Sequence, residues 1–101
     1  MSLTLTLTQR VRADLSAARL WYEQQRGGHG DKFAAAFYDS IQRVLLAPTS
    51  HPRQSDRLRK CRLKGFPYST YFHVTNTELL IVALIHHRQS PEFVTEQLRR
   101  A

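Results

Sequence analysis

Residues 79–85 read LLIVALI, seven apolar side chains in a row with neither helical spacing nor alternation. A run of this length between turn-forming segments suits a strand covered on both faces, in the interior of a sheet. That demand shapes the rest of the chain, which has only 101 residues with which to supply neighbouring strands and a cover for each face. Two further strands precede the run, at about residues 58–64 and 68–74, and the run itself extends over about 79–87. The short GFP and TNTE segments between them predict an antiparallel meander. Near the start, SLTLTLT at residues 2–8 alternates leucine with hydroxyl side chains, the period of a strand with one buried face.

Between these strands lies helical periodicity. Val11, Leu15, Ala18 and Tyr22 recur at helical spacing, Thr8 can cap the start and Gly27-Gly28 supply a stop, which predicts a helix over about 9–26. Asp31 offers a second N-cap, and Phe33, Phe37, Ile41 and Leu45 form a stripe that ends before Pro48. The short GGHG link predicts an antiparallel helical hairpin over one face of the sheet. PTSHPRQSD, polar and without periodicity, reads as a surface loop. Ser90 can cap a last short helix, with Pro91 first, Phe93, Val94 and Leu98 as apolar contacts, and Arg99 and Arg100 at the negative end of its dipole. A helix of about ten residues is about 15 Å long and cannot hide four strands, so part of the second face is expected to stay open. The expectation is one α+β domain over residues 1–101: a small antiparallel four-stranded sheet with an N-terminal helical hairpin on one face and a short C-terminal helix, in the order β-α-α-β-β-β-α.

Charge narrows the chemistry. Fifteen Lys and Arg against eight Asp and Glu leave a formal charge of +7, which suits nucleic acid, an anionic membrane surface or an acidic protein. Five of the cations fall within residues 57–64. Alternation on the strand places Lys60, Arg62 and Lys64 on one side and Cys61 and Leu63 on the other. A plainly solvated face, keeping an edge strand from aggregating, would carry the same residues. The single Cys61 allows no internal disulfide and reads as a buried small hydrophobe. No apolar run reaches about 18 residues and no signal segment opens the chain, so the expectation is a cytoplasmic protein without a membrane span. His86 and His87 are adjacent on a strand and point to opposite faces, while His29, His51 and His73 are scattered, so no metal site and no cofactor are expected. Trp21 and Tyr22, with Phe33, Phe37 and Tyr38, sit at helical spacing and read as packing residues.

The order of elements, together with FPYSTYFHV at residues 66–74, LLIVALIHHR at 79–88 and the SPEF that follows, resembles the RelE/ParE superfamily of toxins from bacterial type II toxin-antitoxin modules. ADLSAARLWYEQQ and KFAAAFYDSI extend the likeness over the helices. The resemblance implies a toxin neutralised by a cognate antitoxin whose extended acidic segment wraps the open surface. It also implies one of two targets. RelE-like members cleave messenger RNA on the ribosome without a metal, and ParE-like members act on DNA gyrase.

In the RelE-like pattern two basic residues on the first meander strand fall on Lys60 and Arg62, and an Arg after the last strand falls on Arg88. The Arg that opens the middle strand falls on Ser69, and the C-terminal Tyr falls at Phe93 and Val94, where nothing ionises. Losing a phosphate-clamping cation and a proton-transfer group would each cost on the order of 10²-fold in rate. The ParE-like branch therefore fits better, with gyrase as target, Lys60, Arg62, Lys64 and Arg88 as contact residues and no catalysis. The competing expectation is a metal-independent RNase in which Lys60, Arg62 and Arg88 act with a substitute acid or base, His86 or His87, with His86 put forward for the role. A third is a degenerate member that binds its antitoxin without toxicity.

Overall fold

The computed structural model describes residues 3–99. In chain order they form β1 (Thr4–Leu7), α1 (Gln9–Gln25), α2 (His29–Leu46), β2 (Arg59–Arg62), β3 (Tyr68–Val74), β4 (Glu78–His86) and α3 (Pro91–Arg99), the expected order of an α+β fold. Ser2 and Arg100, expected in the first strand and at the end of the last helix, lie outside the described residues.

The strands line up as β1-β4-β3-β2, with the apolar β4 inside the sheet. β2, β3 and β4 form the expected antiparallel meander, but β1 pairs with β4 in parallel, Thr4 opposite Glu78 and Leu7 opposite Ile81. The sheet is mixed, where an all-antiparallel one was expected, and the path of the helices explains why. α1 carries on past β1 to the Tyr68 end of the sheet, where Tyr22 meets the rings of Phe66 and Tyr68. α2 returns to the Val74 end, where Leu45 shares a cavity wall with Leu3 and Val74. β2 therefore sets out from the end at which β1 began, and two reversals later β4 runs the same way as β1.

Thr8 caps α1, its hydroxyl accepting from the Val11 N–H at 3.2 Å. The start of α2 differs from expectation. Gly28 takes the cap position in the left-handed region, at φ 86°, and the helix begins at His29, so Asp31 lies in its first turn. The free N–H groups are served from the other helix, because the Glu23 carboxylate accepts from Gly28 at 3.0 Å and from Gly30 at 3.1 Å. Asp31 instead pairs with Arg19 of α1. At Gly30 the helices meet so closely that a Cβ would stand 2.5 Å from the Arg19 carbonyl oxygen. The hairpin is thus tied at its turn by a carboxylate, an ion pair and a glycine contact.

The main core lies between this hairpin and the sheet. Val11, Phe33, Phe37, Ile41 and Val44 pack on Phe72, Leu79 and Ile81, with Cys61 and Leu63 at the β2 edge. The polar pair buried in it is satisfied: Ser40 Oγ lies 2.9 Å from Thr70 Oγ1 and donates to the Phe37 carbonyl. Tyr22 joins this core, but its neighbour Trp21 and the neighbour of Phe37, Tyr38, are about half exposed, against the expectation that both pack inside. Adjacent residues on a helix diverge by about 100°, so one of each pair turns outward.

α3 covers the opposite face, where Val94 and Leu98 pack on a smaller cluster of Tyr71, Val82, Ala83 and Ile85. Ser90 caps it, accepting from the Phe93 N–H at 3.0 Å. β4 reaches both clusters by alternation, Leu79 and Ile81 on one side and Leu80 and Val82 on the other, and a bulge then resets its parity. Phe72 pairs with Ile81 but Tyr71 with Ala83, which leaves Val82 as the extra residue and shifts the alternation by one.

Candidate functional site

The register across the meander gathers the basic residues. Lys60 stands opposite Tyr71 and Arg62 opposite Ser69, on the face turned away from α1 and α2. Their neighbours Cys61 and Leu63 enter the helical core, as alternation requires. Arg43 of α2 ties this strand in place, its guanidinium donating to the Arg62 carbonyl at 2.7 Å. Burial raises the Cys61 thiol pKa, with Arg43 working against it, so Cys61 stays a protonated packing residue. Lys64 follows β2 and is exposed, and so is Arg88 beyond β4.

The two histidines at the end of β4 divide between the faces. His86 turns to the helical side, its ring edge-on to Tyr68 with centroids 4.9 Å apart and its Nδ1 accepting from the Arg88 N–H at 2.8 Å. His87 turns to the basic side, where its Nε2 lies 2.9 Å from Ser69 Oγ. Its backbone N–H donates to the Pro67 carbonyl at 2.8 Å. Ser69 itself is 3% exposed. Partial burial, then Arg62 and His86, with Lys60 adding less, lower the His87 pKa below its ordinary 6.5 against an opposing hydrogen bond to the Tyr68 backbone. His87 is therefore mainly a neutral imidazole at pH 7.

The residue that joins Lys60 and Arg62 on this face is His87, and His86 stands apart from them. The bulge at Val82 decides this, because without the extra residue the parity of β4 would carry His86 to the basic side. Sequence reasoning singled out Ser69 as the missing cation but not its bond to His87. Phe93 and Val94, at the position of the nuclease tyrosine, do other work. Phe93 lines a groove with Trp21, Tyr68 and His86, and Val94 packs beneath α3. Among the described residues no group of three His, Cys, Asp or Glu side chains gathers as around a metal. Among the same residues no helix is long and apolar enough to cross a membrane.

A family model of the ParE toxin of the type II toxin-antitoxin system parDE matches residues 5–91. The chain belongs to the ParE toxin family. A search of curated proteins finds no match. Among solved structures, a chain of the chromosomal ParDE toxin-antitoxin system from P. aeruginosa is 24% identical over 83% of this chain and 95% of its own, with a TM-score of 0.64. The isolated E. coli RelE toxin is 12% identical, with 99% of this chain and 100% of its own covered and a TM-score of 0.62. An arginine double mutant of E. coli RelE in the free state is 14% identical, with 99% and 98% covered and a TM-score of 0.63. The RelE/ParE fold is thus common to all three, and family membership makes this ParE-family chain a toxin with a cognate antitoxin as its partner.

Proposed function

We propose that this ParE-family toxin inhibits DNA gyrase and is neutralised when the acidic segment of its antitoxin covers the basic face. The observation that carries the reading is Ser69. Where the nuclease pattern needs a strand-opening cation, the chain has a buried hydroxyl committed to His87. Lys60, Arg62, Lys64 and Arg88 then serve as contact residues for a protein target or for the DNA it holds, a role in which steering by charge matters more than chemistry. The antitoxin suits the same surface, since a disordered acidic segment can bury a large area and screen the cations as it folds on binding. The cytoplasm, where gyrase and ribosomes work, is the compartment this reading requires.

A second reading rests on His87. A neutral imidazole beside two cations has the attributes of a general base for a ribose 2′-OH, with Lys60, Arg62 and Arg88 stabilising the phosphate charge. On this reading the toxin is a metal-independent, ribosome-dependent RNase, and His87 takes the place that His86 held in the sequence-based expectation. The two readings part in one experiment. The toxin is expressed without antitoxin, and gyrase supercoiling and messenger RNA cleavage are measured side by side. Loss of supercoiling with intact messages is expected, whereas cleavage at ribosome-bound codons with normal supercoiling would overturn the gyrase reading. Normal growth with neither response would mark a member that binds antitoxin without toxicity.

A further inference from the structure

A second concentration of charge lies at the far end of β2, three residues along the strand from Arg62, or about 10 Å. Arg53, Arg57 and Arg59 line one cavity there, of about 210 Å³, with Asp56 as the only carboxylate in its wall. The loop that carries Arg53 and Arg57 and leads into Arg59 of β2 is fixed by its own hydrogen bonds. The Gln54 N–H donates to the Leu58 carbonyl at 2.7 Å, the Lys60 N–H donates to Pro52 at 3.0 Å, and Arg53 and Arg59 form an isolated bridge. Two of the guanidiniums are aimed by backbone carbonyls, Arg59 by His51 at 2.9 Å and Arg53 by Asp56 at 3.0 Å. The Arg57 guanidinium has no hydrogen bond or ion pair among the described residues. Three like charges held together around one carboxylate repel, and the loop retains them.

Arg57 and His73 also form the wall of an adjoining cavity of about 320 Å³, whose floor is Leu58, Leu80, Val82 and Leu98. This is the part of the second sheet face that α3 leaves uncovered. Its volume is at the lower end for small-ligand sites, which are mostly apolar with a few placed polar groups. His73 donates from Nδ1 to the Arg57 carbonyl at 2.7 Å, which leaves Nε2 without a partner among the described residues. Arg99 stands at the rim, paired with Glu96. An anionic head beside a flat apolar body is the shape these two cavities share. Arginine forks suit phosphate, which they can hold by paired hydrogen bonds.

We propose that these joined cavities bind a nucleotide unit, with Arg53, Arg57 and Arg59 on the phosphate and the leucine-valine floor under the base. The site shares the second sheet face with Lys60, Arg62 and His87 but lies at its other end, beside Leu58 and His73, and stands whichever target those three residues serve. The nucleotide can be free or part of a strand, and the test distinguishes the two. The full-length toxin, labelled with ¹⁵N, is titrated at low ionic strength with AMP and with a short oligothymidylate, and amide shifts are followed. Shifts at residues 57–59, 73 and 98 are expected. A response to both ligands indicates a site for free nucleotides, and a response to the oligonucleotide alone indicates a site for a strand.

Arg57→Gln should weaken binding by roughly tenfold or more, the loss of one charge-assisted contact, without moving distant amides. Lys60→Gln should leave the shifts at residues 57–59 in place. The proposal fails if neither ligand shifts these amides, if the shifts map only to the Lys60 and Arg62 end of the face, or if Arg57→Gln binds as tightly as the parent. It fails too if a glutamate-rich peptide occupies the site and both nucleotide ligands leave it empty.

Discussion

The two faces of the sheet are built to different standards. The face under α1 and α2 is sealed by two long helices, excludes water from Phe33, Phe37 and Phe72, and pairs the polar groups it buries, Ser40 with Thr70. The face under α3 has a nine-residue helix over part of it and leaves Lys60, Arg62 and His87 beside a thin apolar cluster. The sealed face supplies stability, since burying one large apolar side chain contributes about 1.5–3 kcal/mol. The open face supplies charge that costs the fold little, because exposed cations contribute about 0–1 kcal/mol each. A small toxin with a partner can keep one face for folding and one for meeting other molecules.

The sharpest way to break this comparison is to truncate one apolar side chain on each face to alanine. Phe37→Ala should lower unfolding free energy by about 3–5 kcal/mol in a denaturant titration, because its ring is fully buried and the neighbouring helices cannot close on the hole. Val94→Ala, under α3, should cost about 1 kcal/mol, the smaller loss expected of a partly buried site. Equal losses would mean that α3 carries as much of the fold as the hairpin. Next in size is Gly30→Ala. The added methyl meets the Arg19 carbonyl, a backbone atom that moves only with its helix, so the hairpin should open by a few tenths of an ångström at a cost of about 1–3 kcal/mol. A stability equal to the parent's would show that the helix contact at Gly30 is slack.

The stability half of this division was more legible in the sequence than the functional half. The unbroken apolar run placed β4 inside the sheet, and the Phe33, Phe37, Ile41 stripe marked the buried side of α2, because both signals depend on local periodicity. The parallel pairing of β1 depends on where the hairpin delivers the chain, which no short window contains. The cap of α2 was misread for a similar reason: Asp31 is the right residue type in the right place, but Glu23, on the preceding helix, reaches the N–H groups first. At the site, alternation on β2 was enough to put Lys60 and Arg62 on one face. It could not say which histidine joins them, since LLIVALI has no alternation from which to locate the bulge that moves His87 to that side.

The open face answers to smaller changes. Lys60→Ala/Arg62→Ala/Arg88→Ala should abolish or strongly reduce growth arrest while shifting stability by no more than about 0.5 kcal/mol for each surface site, Lys60 half-buried and Arg62 and Arg88 exposed. A triple variant that is folded and fully toxic would take this face out of the mechanism and leave the far arginine loop as the remaining basic surface.

The smallest expected effect is also the most local. His87 should titrate below 6.5 in the folded toxin, followed by its ring protons in NMR. The sign for stability follows from the lowered value. In the unfolded chain His87 takes its proton near pH 6.5, so its contribution is complete above that pH and declines as pH falls towards the folded-state value. Arg62→Gln removes a neighbouring positive charge and should raise the His87 midpoint, yet leave it below 6.5, because burial is the larger cause of the shift. Arg53→Gln, at the far end of β2, should leave it unchanged. A midpoint that ignores Arg62 and responds to Arg53 would mean that the two basic regions are electrically one surface, and the division between a His87 face and a separate arginine loop would fall.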